Sequence, residues 1–463
     1  MSEATPALPL FTALQLPKAL LDSIKEAGFS NTTPVQALSL PIILRGDDVV
    51  VQAETGSGKT AAFALGILAK LNTNDFSPQA LVLCPTRELA EQVAETIRGL
   101  AKTMGNVKVL TLCGGVPARS QIASFEHGAH VLVGTPGRVL DHLSQQRLDF
   151  SKLSTLVLDE ADRMLEMGFQ DDMKAIIAKT PSARQNMLFS ATYPAGIAQL
   201  TKHVTPKAEH IKVAAAQTKA NIVQRFFNLA DTFSAYAVQQ LLLDLQPANA
   251  MVFCNTKAEA QTIADKLAAK GFSALALHGD LEQKDRDQTM IQFSHGSTRV
   301  LVATDVAARG LDIAELDLVI SVNMAHDLDT HTHRIGRTGR AGAEGLAVTL
   351  IGPQDDYKMR LLEDTMAAPI QLQPLPEPAN SAKPLKSDVV TLQISGGKKD
   401  KLRPGDIVGA LTRDNKLTMA DIGKIKVQNQ WSFVTVKNTS AKHALSLINI
   451  DKIKGKRFRA KAL

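Results

Sequence analysis

Cysteine, tryptophan and tyrosine are scarce in this chain: of 463 residues three are Cys, one is Trp and three are Tyr. Cys84, Cys113 and Cys254 stand in LVLCPT, LTLCGG and VFCNT, at the ends of apolar runs and without C-x-x-C spacing. That excludes a disulfide framework and leaves reduced packing residues as the expectation, in place of metal or redox thiols. Histidine offers no metal set either, because His331 and His333 in HTH have no third ligand close by in sequence. Long apolar runs are also missing. A membrane span needs roughly 20 apolar residues, and the densest stretch, AAFALGILAKL at 61–71, has the length of a buried helix. The opening MSEATPALPLF has no basic patch ahead of an apolar core, so no secretory signal is read and the cytoplasm is the expected compartment.

Acidic residues thin out toward the C-terminus. From Lys383 onward the chain carries 18 Lys and Arg against 6 Asp and Glu, whereas residues 1–382 carry 34 against 40. The overall charge of +6 therefore belongs to a C-terminal module, and a module of that sign is suited to a polyanion.

The length corresponds to about three domains of ordinary size. Two composition breaks mark them: AAAQTKANI at 214–222, and PIQLQPLPEPANSAKP at 369–384 with five prolines in sixteen residues. Residues 1–212 and 222–368 each alternate short apolar runs with helical patterns, which predicts parallel sheets covered by helices. Residues 369–387 read as a Pro-rich linker, extended or disordered, and 388–463 as a separate basic domain. A weak internal repeat points to duplication: LVLCPT is followed by VLVGT, and MVFCNT by VLVAT, with 51 residues from Cys84 to Thr135 and 50 from Cys254 to Thr304.

VVVQAETGSGKT at 49–60 is a buried strand entering a Gly-rich turn and then an apolar helix, the context a phosphate loop requires. Thr55, Gly56, Ser57 and Gly58 let backbone N–H groups close around phosphate oxygens, Lys59 reaches the β and γ phosphates, and Thr60 can hold Mg²⁺. Ala53 stands where the general pattern has Gly. LSTLVLDEAD at 153–162 puts Asp159 and Glu160 at a strand end, one carboxylate for the metal and its neighbour for a water. Nothing of this kind recurs in the second domain, which instead carries HRIGRTGR at 333–340, three arginines at spacing three. Such a loop can reach an oxygen cluster on another surface, and an arginine finger is worth roughly 10³–10⁵ in turnover.

These strings, taken in order with PTRELA (85–90), TPGR (135–138), SAT (190–192) and ATDVAARGLD (303–312), resemble the motif set of DEAD-box RNA helicases over about residues 11–345. The resemblance implies two tandem RecA-like domains and the cofactors ATP and Mg²⁺. GFSNTTPVQ (28–36) is similar to the adenine-reading motif, with Gln36 on the base edge and Phe11 stacked on it. By the same resemblance Lys59, Thr60 and Asp159 hold phosphates and Mg²⁺, Glu160 positions or deprotonates the attacking water, and Arg337 and Arg340 are the fingers. Gly310 and Asp312 complete the nucleotide site, while Ser190 and Thr192 couple nucleotide state to RNA. The RNA positions it implies are Arg87, Gly115, Thr135 and Arg138 on the first domain and Arg286 and Thr304 on the second. Contacts to sugar and phosphate predict RNA over DNA without base specificity.

Residues 388–463 read as βαββαβ, so the expected fold class is α/β with two RecA-like parallel-sheet domains followed by a small α+β RNA-recognition (RRM-like) domain. In QWSFVTV, alternation puts Trp431 and Phe433 on one face of a strand, where they would stack on bases or pack in the core; Asn429 and Gln430 replace the Lys/Arg and Gly of the usual signature, and Thr391 and Gln393 stand on the first strand where an aromatic is expected. GGKKDKLRPGDIVGAL (396–411), ADIGKI (420–425) and KIKGK (452–456) resemble one branch of the family, the DbpA-type helicases. That branch implies binding to a hairpin of large-subunit ribosomal RNA in pre-ribosomal particles, with Lys398, Lys399, Lys401, Arg403, Lys456 and Arg459 gripping it. The expected activity is ATP-dependent separation of short RNA duplexes by a monomer with no membrane partner. An ATP-gated RNA clamp, a general RNA chaperone and a DNA translocase are the competing readings.

Overall fold

Short runs of Val, Leu and Ile flanked by Gly, Ser and Thr form seven strands in the first part of the chain: β1 (Val49–Gln52), β2 (Ala80–Leu83), β3 (Val109–Leu112), β4 (Val131–Gly134), β5 (Thr155–Leu158), β6 (Gln185–Ser190) and β7 (Glu209–Lys212). The computed structural model describes residues 8–54, 56–213, 221–229, 232–308, 316–339, 344–366, 369–379 and 381–463. All pairings among these strands are parallel, in the order β3-β4-β2-β5-β6-β1-β7. β2, β4, β5 and β6 are buried along their whole length, as a sheet covered by helices on both faces demands. One apolar cluster covers each face.

A second parallel sheet follows, built from β8 (Asn221–Asn228), β9 (Ala250–Cys254), β10 (Ala274–Leu277), β11 (Val300–Thr304), β12 (Leu318–Ser321), β13 (Glu344–Ile351) and β14 (Leu372–Gln373). Its order, β10-β11-β9-β12-β13-β8-β14, is that of the first sheet strand for strand. The repeat read from LVLC…VLVGT and MVFC…VLVAT falls on β2 and β4 in one sheet and on β9 and β11 in the other. The seventh strand, β14, comes from the Pro-rich segment and pairs with β8 as β7 pairs with β1. Farther along the same segment Leu385 is buried in the second core, and Lys386 O accepts from Arg299 Nη1 at 3.2 Å.

The third sheet is antiparallel, β16-β17-β15-β20, from β15 (Val389–Ile394), β16 (Ile422–Val427), β17 (Ser432–Lys437) and β20 (Ala460–Ala462), with β18 (Lys452–Ile453) and β19 (Lys456–Arg457) forming a small hairpin. Helices Pro404–Leu411 and Ala441–Ile450 pack on one face, where Leu392, Ile394, Val434 and Val436 meet Ile407, Leu411, Ala444 and Ile448. That is the βαββαβ arrangement of an RNA-recognition fold.

Contacts divide the chain into two compact units, the first carrying the first sheet and the second carrying the other two. Inside the second unit the helix-free face of the third sheet is joined to the end of helix Gln283–Ser294. Ser297 Oγ and Thr391 Oγ1 lie 2.7 Å apart, Gln288 Nε2 donates to Gln393 Oε1 at 3.1 Å, and Thr435 Oγ1 lies 3.0 Å from His295 Nδ1. Lys424 Nζ donates to Ser294 O at 2.6 Å. Thr391, Gln393, Phe433 and Thr435 are all buried. Among the described residues no helix is long and apolar enough to cross a membrane. The three cysteines are buried and unpaired, and burial pushes the Cys113 thiol up to about 12, far from nucleophilic use at neutral pH.

Candidate nucleotide and RNA sites

In parallel sheets the residues that follow the strands collect along one edge, where ligands bind. The turn after β1 leads into helix Lys59–Lys70, whose first N–H groups are unsatisfied within the helix and open to an anion. Gly56 and Gly58 have φ of +84° and +97°, a region that side-chain-bearing residues seldom adopt. At Gly58 space is a second constraint, since a Cβ would come within 2.6 Å of Gln36 Nε2. Gln36 Nε2 donates to Gly58 O at 3.1 Å, and its Oε1 accepts from Thr33 N at 2.9 Å in a capping box that starts helix Pro34–Arg45. The adenine-reading candidate is thus tied to the phosphate loop. Lys59 Nζ donates to Ala53 O at 2.7 Å, so its ammonium rests on the loop it is expected to serve. Phe11, the expected stacking ring, packs into the first core.

Asp159 and Glu160 follow β5. Glu160 sits at φ 50° and ψ 53°, a left-handed conformation for a residue with a side chain, and its N–H donates to Asp159 Oδ1 at 3.0 Å. Strain of this kind persists where the surroundings impose it, typically at functional sites. Asp159 is 3% exposed. Burial pushes its carboxyl up to about 7, opposed by Lys59 and reinforced by Glu160. A buried carboxylate whose pKa is raised despite the nearby Lys59 ammonium fits a divalent cation that enters with phosphates. Among the described residues no group of three or more His, Cys, Asp or Glu could hold a metal unaided.

The last acid of DEAD has a structural task that its spacing did not reveal. Asp162 Oδ2 accepts from Ala191 N (3.2 Å), Thr192 N (2.8 Å) and Thr192 Oγ1 (2.9 Å), while Asp162 N donates to Ser190 Oγ at 3.4 Å. The carboxylate strand end and the SAT segment are therefore one hydrogen-bonded body, which joins Asp162 to Ser190 and Thr192, the residues expected to couple nucleotide state to RNA. Its place as the fourth letter of the motif was the available signal.

The expected RNA residues of the first unit follow adjacent strands. Arg87 opens helix Arg87–Leu100 after β2, Gly115 lies in the loop after β3, and Thr135 and Arg138 follow β4. Gly115 has φ +72°, and a Cβ there would collide with the Arg87 guanidinium, so the arginine is seated on the glycine. Arg138 Nη1 donates to Val116 O at 3.1 Å in the same loop. In the second unit Thr304 ends β11, the counterpart of β4, and Arg286 lies in helix Gln283–Ser294 after β10.

The arginines of HRIGRTGR are not equivalent, which corrects the reading of three reaching side chains. Arg334 is buried in a bidentate pair with Asp305, Nε to Oδ1 and Nη2 to Oδ2 both at 2.7 Å. It also donates to Asn323 O at 2.7 Å and Asn255 Oδ1 at 2.8 Å. The carboxylate just after β11 draws it inward and commits it to holding the second unit together. Arg337 is 7% exposed. Arg340, Gly310, Asp312 and Thr55 lie outside the described residues, as do 214–220 of the first composition break.

In the third domain the basic residues of two distant segments meet. Lys454 Nζ donates to Lys401 O at 3.0 Å, and Lys456 pairs with Asp400 at 3.3 Å, so the β18–β19 hairpin lies against the turn bearing Lys398, Lys399, Lys401 and Arg403. Lys398 N and Lys399 N donate to Gln428 O (2.8 Å) and Asn429 O (3.0 Å), which places the loop before Trp431 beside that turn. Trp431 is 37% exposed and precedes β17; Arg459 is exposed just before β20, next to the buried Phe458. Phe433, expected to share an open face with Trp431, is instead buried on the sheet face joined to the second-domain helix. The polar Thr391, Gln393 and Thr435 explain this, because they give that face hydrogen-bonding partners for Ser297, Gln288 and His295 rather than a stacking platform.

Comparison with known proteins identifies the family. Three family descriptions match: DEAD/DEAH box helicase over residues 33–200, helicase conserved C-terminal domain over 235–342, and DbpA RNA binding domain over 391–462. The ATP-dependent RNA helicase DbpA of Escherichia coli (strain K12) is 48% identical over 97% of this chain and 98% of its own length. A protein of the same name from Bacillus subtilis (strain 168) is 35% identical over the same shares. The solved structure of S. cerevisiae Dbp5 bound to RNA and ADP BeF3 superposes with a TM-score of 0.70 at 29% identity, covering 79% of this chain and 95% of that one. With the phosphate loop, the buried strand-end acid and an RNA-binding C-terminal domain in place, the chain belongs to the DEAD-box ATP-dependent RNA helicases, in their DbpA-type branch.

Proposed function

We propose that this helicase opens short RNA duplexes locally on large-subunit ribosomal RNA, carried there by its third domain during assembly of pre-ribosomal particles in the cytoplasm, and that it works as a single chain. The observation that carries the targeting is the third domain's surface. Its sheet face is covered from within the chain, and its exposed basic residues include Lys398, Lys399, Lys401 and Arg403 of one turn with Lys454 and Lys456 of the hairpin against it, Arg459 farther along, and the partly exposed Trp431. Such a surface suits the phosphates of a folded RNA element, with one aromatic for an unstacked base.

In the cycle Lys59 leaves the Ala53 carbonyl for the nucleotide phosphates, and Thr60 and Asp159 are the residues that would hold Mg²⁺. When bound, that ion neutralises charge developing on the β and γ phosphate oxygens. Gln36 reads the adenine edge. Glu160, fixed by its left-handed backbone, orients the attacking water and takes its proton. Turnover also requires Arg337 and Arg340 of the second unit to stabilise the transition-state charge. The Asp162 tie to Ser190 and Thr192 transmits the nucleotide state to the RNA residues Arg87, Gly115, Thr135 and Arg138, with Arg286 and Thr304 contributed by the second unit.

The test is the steady-state ATPase rate with purified large-subunit ribosomal RNA against an unrelated structured RNA of equal length, at fixed salt. Selective stimulation by the ribosomal RNA is expected; equal stimulation would leave the activity and remove the targeting. Glu160→Gln separates remodelling from clamping: it is expected to bind ATP and RNA yet fail to separate duplexes over repeated cycles, and continued separation would overturn the hydrolytic cycle.

A further inference from the structure

Arg138 and the Gly114–Gly115 loop belong to different motifs, yet one side chain outside every motif holds both. Gln121, in helix Ala118–Phe125, is 7% exposed. Its Nε2 donates to Cys113 O at 3.0 Å, immediately before the two glycines. Its Oε1 accepts from Arg138 Nη1 at 3.0 Å and from His142 Nε2 at 2.7 Å. Arg138 Nη1 closes the circuit by donating to Val116 O at 3.1 Å, immediately after the glycines.

The direction of each bond is fixed by chemistry. A guanidinium only donates, so the atom facing Arg138 must be the amide oxygen and the atom facing Cys113 O the amide nitrogen. Oε1 being an acceptor, His142 must carry its proton on Nε2. His142 is fully buried, and burial together with the neighbouring Arg138 holds its pKa below the usual imidazole value, against the pull of Asp141. The ring is thus a neutral donor that steadies the amide from behind. A carboxamide meets these demands where carboxylate and aliphatic side chains of similar size do not: an ionised Glu has no donor for Cys113 O, and Leu has neither group.

We infer that Gln121 is a positioning residue for RNA engagement, setting the Arg138 guanidinium and the Gly-Gly loop, on which Arg87 is seated, in one register. The inference rests on the proposed RNA role of Arg138. Loss of the amide leaves Arg138 the Val116 carbonyl and a long 3.9 Å ion pair with Asp141 as partners and releases the loop from its buried anchor, while the nucleotide loop after β1 is untouched.

The experiment uses the full chain and measures RNA-stimulated ATPase over a range of single-stranded RNA concentrations and salt, for Gln121→Leu, Gln121→Glu, Arg138→Ala and the double variant Gln121→Leu/Arg138→Ala. Gln121→Leu is expected to raise the RNA concentration for half-maximal stimulation about tenfold, the scale of one misplaced charge-assisted hydrogen bond, with kcat at saturating RNA retained. Gln121→Glu, which keeps the acceptor for Arg138 and loses the donor, should fall between it and the wild type. The double variant should bind RNA worse than Arg138→Ala by less than the Gln121→Leu effect alone, because the Arg138 share is already lost and only the release of the Gly-Gly loop remains. If Arg138→Ala leaves RNA dependence unchanged, the underlying RNA reading fails. If Arg138→Ala weakens RNA binding but both Gln121 variants do not, or the two effects add in full, the positioning role is overturned. A fall in thermal stability without a change in RNA dependence, in either Gln121 variant, also overturns it.

Discussion

Acidification should loosen the third domain from the second. His295 Nδ1 lies 3.0 Å from the Thr435 hydroxyl, and among the described residues the charged groups acting on the ring are Lys424 and Lys426 of β16. Burial first, then these two ammonium groups, bring its pKa down from 6.5 to about 4. A neutral ring accepts the Thr435 proton at Nδ1; a protonated one has no acceptor there and sets a third positive charge beside two others. The docked domain therefore holds fewer protons than the undocked one. Docking is at full strength above the ordinary imidazole pKa and weakens as pH falls toward the depressed value. With one factor of ten per pH unit between the two values, lowering the pH from about 7.5 to about 5.5 should weaken docking about tenfold. Single-molecule energy transfer between dyes on the second and third domains gives the undocked-to-docked ratio directly, and an NMR titration of His295 in the full chain gives its midpoint. His295→Gln keeps an acceptor for Thr435 and removes the titration, so its ratio should be flat over this range. A His295 midpoint near 6.5 in the intact chain, or a His295→Gln protein as pH-sensitive as the wild type, would refute the reasoning.

Gly115→Ala should displace Arg87, raising the RNA concentration for half-maximal ATPase stimulation about tenfold and flattening its salt dependence by roughly 0.7–0.9 units of log–log slope; an unchanged slope would show that Arg87 carries no phosphate contact. Arg334→Ala leaves Asp305 without its bidentate partner and should destabilise the second unit by about 3–5 kcal/mol, seen as a lower urea midpoint. An effect on turnover alone would contradict the assignment to structure. Removing residues 388–463 should flatten the salt dependence of RNA affinity by several phosphate contacts while ATP binding persists, measured by fluorescence titration with labelled RNA and nucleotide.

Much of the ATP-handling half was legible because it depends on local order. A strand, a Gly-rich turn and a helix follow one another within VVVQAETGSGKT, and the acids that end LVL read as a strand terminus once that loop is recognised upstream. The duplication was visible for the same reason, and the identical strand orders give it a topological basis. What escaped depends on partners distant in sequence. Arg334 looks like its neighbours until Asp305, Asn255 and Asn323 close around it. Gln121 belongs to no motif and acquires its task only when β3 and β4 bring Cys113 and Arg138 to either side. The covered face of the third sheet was half-written in Thr391 and Gln393, polar where stacking rings were expected, but the partner that covers it is encoded about a hundred residues earlier.

β14 has a practical consequence for anyone who shortens this protein. The edge of the second sheet is closed by two residues that lie beyond the last helix of that domain and just inside the Pro-rich segment. A chain cut before Leu372 would strip the cover from Phe226 and Phe227, the two β8 residues that β14 pairs, and make that edge one continuous template for strand addition between molecules. The smallest well-behaved helicase core should therefore run past Gln373, and one stopped at the end of helix Asp356–Met366 should self-associate in sedimentation while the longer piece does not.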